Sequence, residues 1–117
     1  MTPAPVKPVI SIADLEKLDI RVGTIRDVGD VPGSEKLVQL VVSFGDHQRT
    51  ILAGLKRERA DPRALIGTQA LFVVNLAPRK MVGLVSEGML FDIGYADGVA
   101  PALAQPERPV PDGCRAG

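Results

Sequence analysis

Cysteine, histidine, tryptophan and long apolar runs are scarce or absent in the 117-residue sequence. Cys114 is the one cysteine, so no internal disulfide can form, and the one histidine, His47, has no second His or Cys with which to build a zinc site. The longest uninterrupted apolar run, Ala70 to Val74, is far below the roughly 18 residues of a transmembrane helix. Prolines and a lysine occupy the N-terminal positions where a signal peptide needs an apolar stretch. We therefore expect a cytoplasmic protein with no membrane partner, metal or cofactor.

An overall charge of one sign is also absent, because 14 Lys and Arg balance 14 Asp and Glu. Net charge alone cannot attract a polyanion to such a protein. The charge is uneven along the chain, however, since positions 49–80 hold seven basic and two acidic residues, a net charge of +5. This cluster indicates either a basic face that meets phosphate or a solvated charged helix around 56–63.

Aromatic residues are few, with three Phe, one Tyr and no Trp. Phe44 and Phe72 lie in apolar strand patterns, which predicts that both belong to the core. Single-strand binders stack successive bases on exposed rings, so the sequence disfavours that class. Recognition of the shape and backbone of a folded RNA fits the composition better.

The remaining composition is that of one small domain built from short elements, with twelve Gly, ten Pro and 45% hydrophobic residues. Apolar runs predict strands at 18–28, 37–44, 49–54, 69–75 and 89–93, with a charged loop at 76–88. Asp61 and Pro62 predict the start of a short helix that Gly67 closes. This order is typical of an all-β, five-stranded OB-fold barrel with a short helix between strands 3 and 4 and a C-terminal extension. An SH3-like barrel is the alternative, and residues 1–10 are expected to form a flexible arm beside a domain at 11–117.

Motifs of enzymes are missing. Ser86 follows Gly83-Leu84-Val85, which lacks the glycine two positions before the serine that a nucleophile elbow requires. The sequence has no P-loop and no dinucleotide-binding fingerprint. We therefore expect a binding protein and not an enzyme.

Four ordered motifs and a short tail resemble a known family. They are Leu18-Asp19-Ile20-Arg21-Val22-Gly23, Pro32-Gly33-Ser34-Glu35-Lys36-Leu37, Arg49-Thr50-Ile51-Leu52-Ala53-Gly54, and Val74-Asn75-Leu76-Ala77-Pro78-Arg79-Lys80-Met81-Val82-Gly83 followed by Ser86-Glu87-Gly88-Met89, with a tail at 106–113. Together they resemble the structure-specific tRNA-binding domain family, which includes stand-alone bacterial proteins and the C-terminal domain of many methionyl-tRNA synthetases. The resemblance implies non-catalytic, structure-specific tRNA binding by an OB-fold homodimer whose copies meet through a C-terminal segment at about 95–117. Because the sequence contains no synthetase catalytic domain, we expect the stand-alone form, with an aminoacyl-tRNA synthetase as a candidate partner.

The same resemblance implies which residues face the tRNA. Lys36, Arg79 and Lys80 would contact phosphates. Ser86 and Met89 would contribute to the tRNA-binding surface. Lys36 follows the first interstrand turn and the other two basic residues lie between strands 4 and 5, so separate segments could converge on one surface.

Arg49 and Asn75 complete the predicted site. For Asn75, Ser86 and Met89, a structural role is the alternative to RNA contact. Arg49 opens strand 3 on the face that OB-folds use for nucleic acid. Asn75 either binds RNA or anchors its turn, Ser86 could satisfy backbone groups, and Met89 could be ordinary core. Glu87 would repel phosphate, so we expect a structural use, such as pairing with Arg79 or Arg21.

A CsaA-like export chaperone, which binds unfolded polypeptide, is the second functional hypothesis. The resemblance to that branch covers the same fold and dimer. Gly88-Met89 and the segment 50–54 differ from what that branch usually carries, and both differences favour tRNA. Acidic residues near the expected RNA face could weaken RNA binding; they are Asp27, Asp30, Glu35 and Asp46.

Overall fold

The strand at Ile20–Asp30 lies at the centre of the sheet, because it pairs with three other strands. The computed structural model describes residues 2–57 and 59–117. Its elements are, in chain order, α1 (Ile12–Leu15), β1 (Ile20–Asp30), β2 (Val38–Ser43), β3 (Gln48–Ala53), a 3₁₀ turn (Pro62–Leu65), β4 (Gln69–Val73), β5 (Arg79–Met81), β6 (Leu84–Ser86), β7 (Met89–Leu90), β8 (Asp92–Ile93), a second 3₁₀ turn (Tyr95–Asp97), β9 (Ala102–Leu103) and β10 (Arg115–Ala116). Within these two ranges, no helix has the length and apolarity needed to span a bilayer.

The main sheet is antiparallel and strongly curled. Its strand order is β3-β2-β1-β4-β7, with β10 paired to β1 beyond the end of β2. The register between β1 and β2 shifts between Ile25 and Asp27, and such a bulge bends a strand. Gly23 adds to the bend, because a Cβ at this position would lie 2.9 Å from the Phe44 ring and 2.5 Å from Val42. The predicted all-β, OB-like fold is confirmed, including the short helical turn between β3 and β4.

The concave face of the sheet encloses the core. Phe44 and Phe72 are both buried, as predicted, and their rings pack edge to face with centroids 5.7 Å apart. The larger fully buried side chains around them come from three strands and the loop after β3; they are Ile25, Val28, Val38, Leu40, Val42, Ile51 and Leu55. Burial of each such side chain stabilises the fold by about 1.5–3 kcal/mol. The packed core therefore fixes the ends of the strands, where the polar residues of the candidate site lie.

Two segments differ from the sequence-based prediction. The predicted loop at 76–88 contains a small hairpin, in which β5 pairs with β6 from Arg79 opposite Ser86 to Met81 opposite Leu84. The predicted strand at 89–93 is two strands with different partners, because β7 pairs with β4 whereas β8 pairs with β9. Apolar periodicity marks extended backbone but does not specify its partner, and this explains both differences.

The C-terminal tail is bound to the body of the same chain. Gly113 N–H donates to Val22 O at 2.8 Å, and Val22 N–H donates to Cys114 O at 2.9 Å. The Asp112 carboxylate accepts hydrogen bonds from Thr24 Oγ1 at 2.6 Å and from Gln69 Nε2 at 3.0 Å. Through these contacts the tail pairs with β1 along the edge that β2 leaves open.

Candidate nucleic-acid interface

A wide groove of about 790 Å³ runs between the end of β3, the β5–β6 hairpin and the segment from β7 to the second 3₁₀ turn. Four of the seven predicted site residues line it, namely Lys36, Arg79, Ser86 and Met89. Arg57 and Lys7 add two further positive charges. The structure therefore brings basic residues from four separate segments of the chain to one concave surface.

The β5–β6 hairpin, which carries Arg79, is fixed by a small apolar cluster. Met81 and Leu84 pack against the buried side chains of Val31, Leu37 and Leu52. Because neighbouring side chains of a strand point to opposite faces, anchoring Met81 places Arg79 on the groove side and Lys80 on the other. Arg79 and Met81 line the groove, and Lys80 is exposed outside it.

The basic residues of the groove differ in how free they are to meet phosphate. Arg57 Nη2 lies 3.4 Å from Glu35 Oε2, an exposed pair that contributes little stability. Within residues 2–57 and 59–117, no carboxylate is in ion-pair contact with Lys36, Arg79 or Lys80. These three cations are therefore available to an external anion.

The other acidic residues named above also have basic neighbours. Asp30 lies 3.4 Å from Lys56 Nζ, Asp27 lies 3.8 Å from Arg63 Nη2, and Asp46 Oδ1 lies 2.6 Å from His47 Nδ1. The hydrogen bond with His47 is the main cause that lowers the pKa of Asp46 below its ordinary value of 3.8. This pairing reduces the repulsion that we expected these carboxylates to exert on RNA.

Ser86 lies at the seam where the curled sheet closes on itself. Its side chain is buried, its Oγ accepts a hydrogen bond from Leu52 N–H at 3.0 Å, and its hydroxyl donates to Gly88 O at 3.0 Å. Glu87 continues the seam, since its N–H donates to Thr50 O at 2.8 Å and its carboxylate accepts from Thr50 N–H at 3.0 Å. Side chains thus replace part of a strand ladder. Glu87 has a structural use, as expected, but among the described residues its partner is the Thr50 backbone and not Arg79 or Arg21.

Replacing Ser86 tests this seam. Ser86→Ala should lower the free energy of unfolding by about 1–3 kcal/mol, because the buried Leu52 amide would lose its acceptor. Urea unfolding measures the change. Ser11→Ala is the matched control, because the Ser11 hydroxyl caps α1 in an exposed position where water can take its place. A loss no larger than that of the control would contradict the structural role.

Arg49 is a second seam residue and lies outside the groove. Its Nη1 donates to Val74 O at 2.6 Å and to Glu87 O at 3.1 Å, and its Nε donates to His47 Nε2 at 3.1 Å. The guanidinium also lies over the Phe44 ring, 5.9 Å from its centroid. Arg49 therefore joins the end of β4 to the start of β7, the two ends of the loop that carries Arg79 and Lys80.

Arg49→Ala should lower the free energy of unfolding by about 1–3 kcal/mol, because two carbonyl groups lose a charged donor. RNA affinity should also fall, since the loop that carries Arg79 would be less well positioned. The slope of log affinity against log salt should stay that of the wild type, because no phosphate contact is removed. A slope reduced by about one unit would instead place Arg49 on a phosphate.

Asn75 fixes the start of β1. Its Oδ1 accepts from Asp19 N–H at 2.8 Å and its Nδ2 donates to Lys17 O at 2.6 Å. Both polar atoms of the amide are thus engaged with backbone, which corresponds to the anchoring alternative for this residue. Asn75 is not among the residues that line the groove.

Asp19, whose N–H donates to Asn75, has a carboxyl group with a shifted pKa. The hydrogen bond from Arg21 outweighs the opposing effect of partial burial and, together with Arg115, lowers the pKa of Asp19 below its ordinary value of 3.8. A carboxyl group whose pKa is lower in the folded state stabilises the fold above its unfolded pKa, and this contribution disappears as the pH falls through the folded value. The bidentate contact with Arg21, at 2.9 and 3.2 Å, is the geometry that produces the shift.

Asp19→Asn should therefore be less stable than the wild type at pH 6. The difference in free energy of unfolding should shrink as the pH falls below 3.8, where the unfolded carboxylate takes up a proton, and disappear below the lower pKa of folded Asp19. Urea unfolding at a series of pH values measures it. A difference that does not vary with pH would show that charge at Asp19 makes no contribution.

Several groove residues were not identified from the sequence as site residues. In the sequence, Arg57 is one of the seven basic residues at 49–80, and Phe91 and Tyr95 are two of the four aromatic residues. Lys7 belongs to the N-terminal arm, whose Ala4 N–H donates to Asp97 Oδ1 at 2.8 Å. The apolar run at 89–93 predicts a single strand, and a single strand gives no reason to assign Phe91 to a binding surface.

Comparison with known proteins finds relatives both in sequence and in structure. Methionine--tRNA ligase of Nitrosomonas europaea is 42% identical over 112 residues, which cover 96% of this chain and 16% of that ligase. A MetRS related protein from Pyrococcus horikoshii has a TM-score of 0.86 at 32% identity, covering 95% of this chain and 100% of that chain. The chaperone CsaA from Bacillus anthracis has a TM-score of 0.82 at 27% identity, covering 94% and 100%.

The family match spans most of the fold. Residues 20–115, from the first residue of β1 to the first residue of β10, match the family described as "Putative tRNA binding domain". The match includes the groove wall formed by the β5–β6 hairpin and the seam of Ser86 and Glu87. This chain belongs to that tRNA-binding domain family.

Proposed function

We propose that this protein is a non-catalytic module that binds tRNA by its folded shape. The observation that carries the proposal is the convergence of Lys36, Arg57 and Arg79 on one groove in a member of this family. Cations held at fixed positions recognise the spacing of phosphates in a folded RNA without reading its sequence. Lys80 and Met89 extend the proposed contact surface, whereas Arg49, Asn75 and Ser86 hold it in shape.

A homodimer is part of the proposal, because a single small groove has few phosphate contacts. Two linked grooves can bind one RNA with much higher avidity if the geometry permits both contacts. Exposed apolar residues outside the groove support a contact between copies: Ile12 and Leu15 of α1 are 70% and 51% exposed, and Ile93 and Val99 are 58% and 45% exposed. A synthetase that receives the bound tRNA is a further proposed partner, since the relative from Nitrosomonas europaea is a methionine--tRNA ligase.

The test is fluorescence anisotropy of the full chain with three labelled ligands over a range of salt concentrations. The ligands are folded tRNA, the same tRNA unfolded by heat without magnesium, and a chemically unfolded polypeptide. We expect preference for folded tRNA and an affinity that falls as salt rises. Equal binding of folded and unfolded tRNA would contradict recognition by shape.

The chaperone alternative rests on one observation, the exposed apolar lining of the same groove in a fold shared with CsaA. Binding of the polypeptide but not of tRNA, with little dependence on salt, would establish that alternative. Lys36 and Arg79, which have no ion-pair partner among the described residues, favour the RNA proposal, because a ligand without regular negative charge makes no use of them.

A further inference from the structure

Two aromatic rings stand exposed in the groove that the cations line. Phe91 is 42% exposed and Tyr95 is 74% exposed, and both line the groove. The other two aromatic residues of the sequence, Phe44 and Phe72, are buried in the core. Every exposed aromatic ring of this chain therefore lies on the same concave surface.

The backbone that carries both rings is fixed. Phe91 N–H donates to Leu71 O at 3.0 Å, and Phe91 O accepts from Ala104 N–H at 3.3 Å. Tyr95 begins a 3₁₀ turn that follows Gly94, whose φ of 102° suits glycine and whose added Cβ would collide with Val99. A ligand that stacks on these rings therefore orders two side chains and no backbone.

The lining of the groove suits the two parts of a nucleotide. Lys36, Arg57 and Arg79 supply positive charge, and Phe91 and Tyr95 supply aromatic rings. Phosphate is attracted to the cations, whereas a base carries no charge and has a π-face that stacks on a ring. The groove volume of about 790 Å³ falls within the roughly 300–1,000 Å³ of ligand-binding clefts.

From this arrangement we infer that the groove binds an unpaired nucleotide of the RNA, with its base stacked on Tyr95 and Phe91 and its phosphate against Arg79 and Lys36. The inference rests on the proposed function in taking RNA as the ligand. It adds a single-stranded subsite to the recognition of folded shape. Because only one base stacks in this subsite, two exposed rings are sufficient. The small number of aromatic residues is therefore no argument against the subsite.

A short oligouridine that carries one 2-aminopurine tests the subsite, because stacking on an aromatic ring quenches the emission of this base. The wild-type chain should bind the oligonucleotide and quench it, and folded tRNA should displace it. Tyr95→Leu and Phe91→Leu keep an apolar side chain without a π-face, and each should weaken binding about tenfold and reduce the quench. Thermal unfolding of each variant verifies that it is folded.

Ile66→Ala is the matched control, since Ile66 is 40% exposed and lies outside the groove. It should bind and quench like the wild type. Adenosine monophosphate distinguishes the source of the nucleotide, because free nucleotide should compete only at concentrations far above those of the oligonucleotide. Competition at equal concentration would assign the groove to free nucleotides and overturn the RNA subsite.

The failures of the inference and of the proposed function are separable. Salt-dependent binding of folded tRNA with no quench of the oligonucleotide overturns the subsite and leaves the function standing. Quench without any binding of folded tRNA supports the subsite and removes recognition by shape. Conversion of a dimer to a monomer by Tyr95→Leu, with oligonucleotide binding unchanged, would show that the ring contacts a second copy and would overturn the subsite.

Discussion

A chain that ends at residue 108 should lose about 2–4 kcal/mol of unfolding free energy, because the tail supplies several hydrogen bonds of about 1 kcal/mol each. The bonds between Gly113, Val22 and Cys114 complete the outer edge of β1. The Asp112 carboxylate accepts a hydrogen bond from the hydroxyl of Thr24, which is buried near the centre of β1. Urea unfolding of the shortened and full-length chains measures the loss.

A second variant separates the loss of these contacts from the loss of length. Gly113 has a φ of 89°, and a Cβ there would lie 2.5 Å from Phe44 O. Gly113→Val should therefore displace the tail and reproduce most of the destabilisation in a full-length chain. Removal of Gly117 alone should change nothing, because the tail contacts end at Ala116.

The same variants test how the tail relates to the proposed dimer. Sedimentation should be measured on the shortened chain beside its unfolding curve. A monomer of undiminished stability would mean that the tail acts only between copies, contrary to its contacts with β1. A destabilised chain that still forms dimers would place the dimer contact earlier, at exposed residues such as Ile93 and Val99.

The sequence was sufficient to predict the fold because its signals are local. Alternation around Leu18, Ile20 and Val22, the apolar run at 70–74 and the Asp61-Pro62 cap each act on their own segment. The order of these segments, with the ordered motifs, was enough to select the OB-like fold. The basic residues Lys36, Arg79 and Lys80 could be proposed because loops at one end of such a barrel come together.

The supporting contacts could not be predicted, because they join residues far apart in the chain. The Arg49 guanidinium spans the ends of β4 and β7, and the Ser86 hydroxyl replaces a backbone partner of Leu52. Neither contact produces a periodic pattern, so the sequence left both residues open to direct RNA contact. The break between β7 and β8 at Phe91 could not be predicted either, because an apolar run has the same sequence pattern whether it pairs with one strand or with two.

The largest functional effect is expected from the double variant Arg79→Ala, Lys80→Ala. Each lost phosphate contact is a charge-assisted hydrogen bond worth about 1.5–3 kcal/mol, so each should lower the affinity for folded tRNA roughly tenfold to a hundredfold. Fewer counterions are released when fewer phosphates are neutralised, and the salt slope should fall by about one unit per contact. The two residues are exposed, so the unfolding curve should not move.

The control variant Lys17→Ala, Arg108→Ala removes the same charge from exposed positions outside the groove. It should leave the salt slope near that of the wild type, because long-range attraction is screened within about 8–10 Å at physiological salt. If both double variants lowered the slope equally, binding would depend on total charge, and the hairpin would have no specific place in the interface. If only the Arg79→Ala, Lys80→Ala variant lowered the salt slope, the two single variants would show how much each residue contributes. Arg79→Ala should then have the larger share, since Arg79 lines the groove whereas Lys80 points away from it.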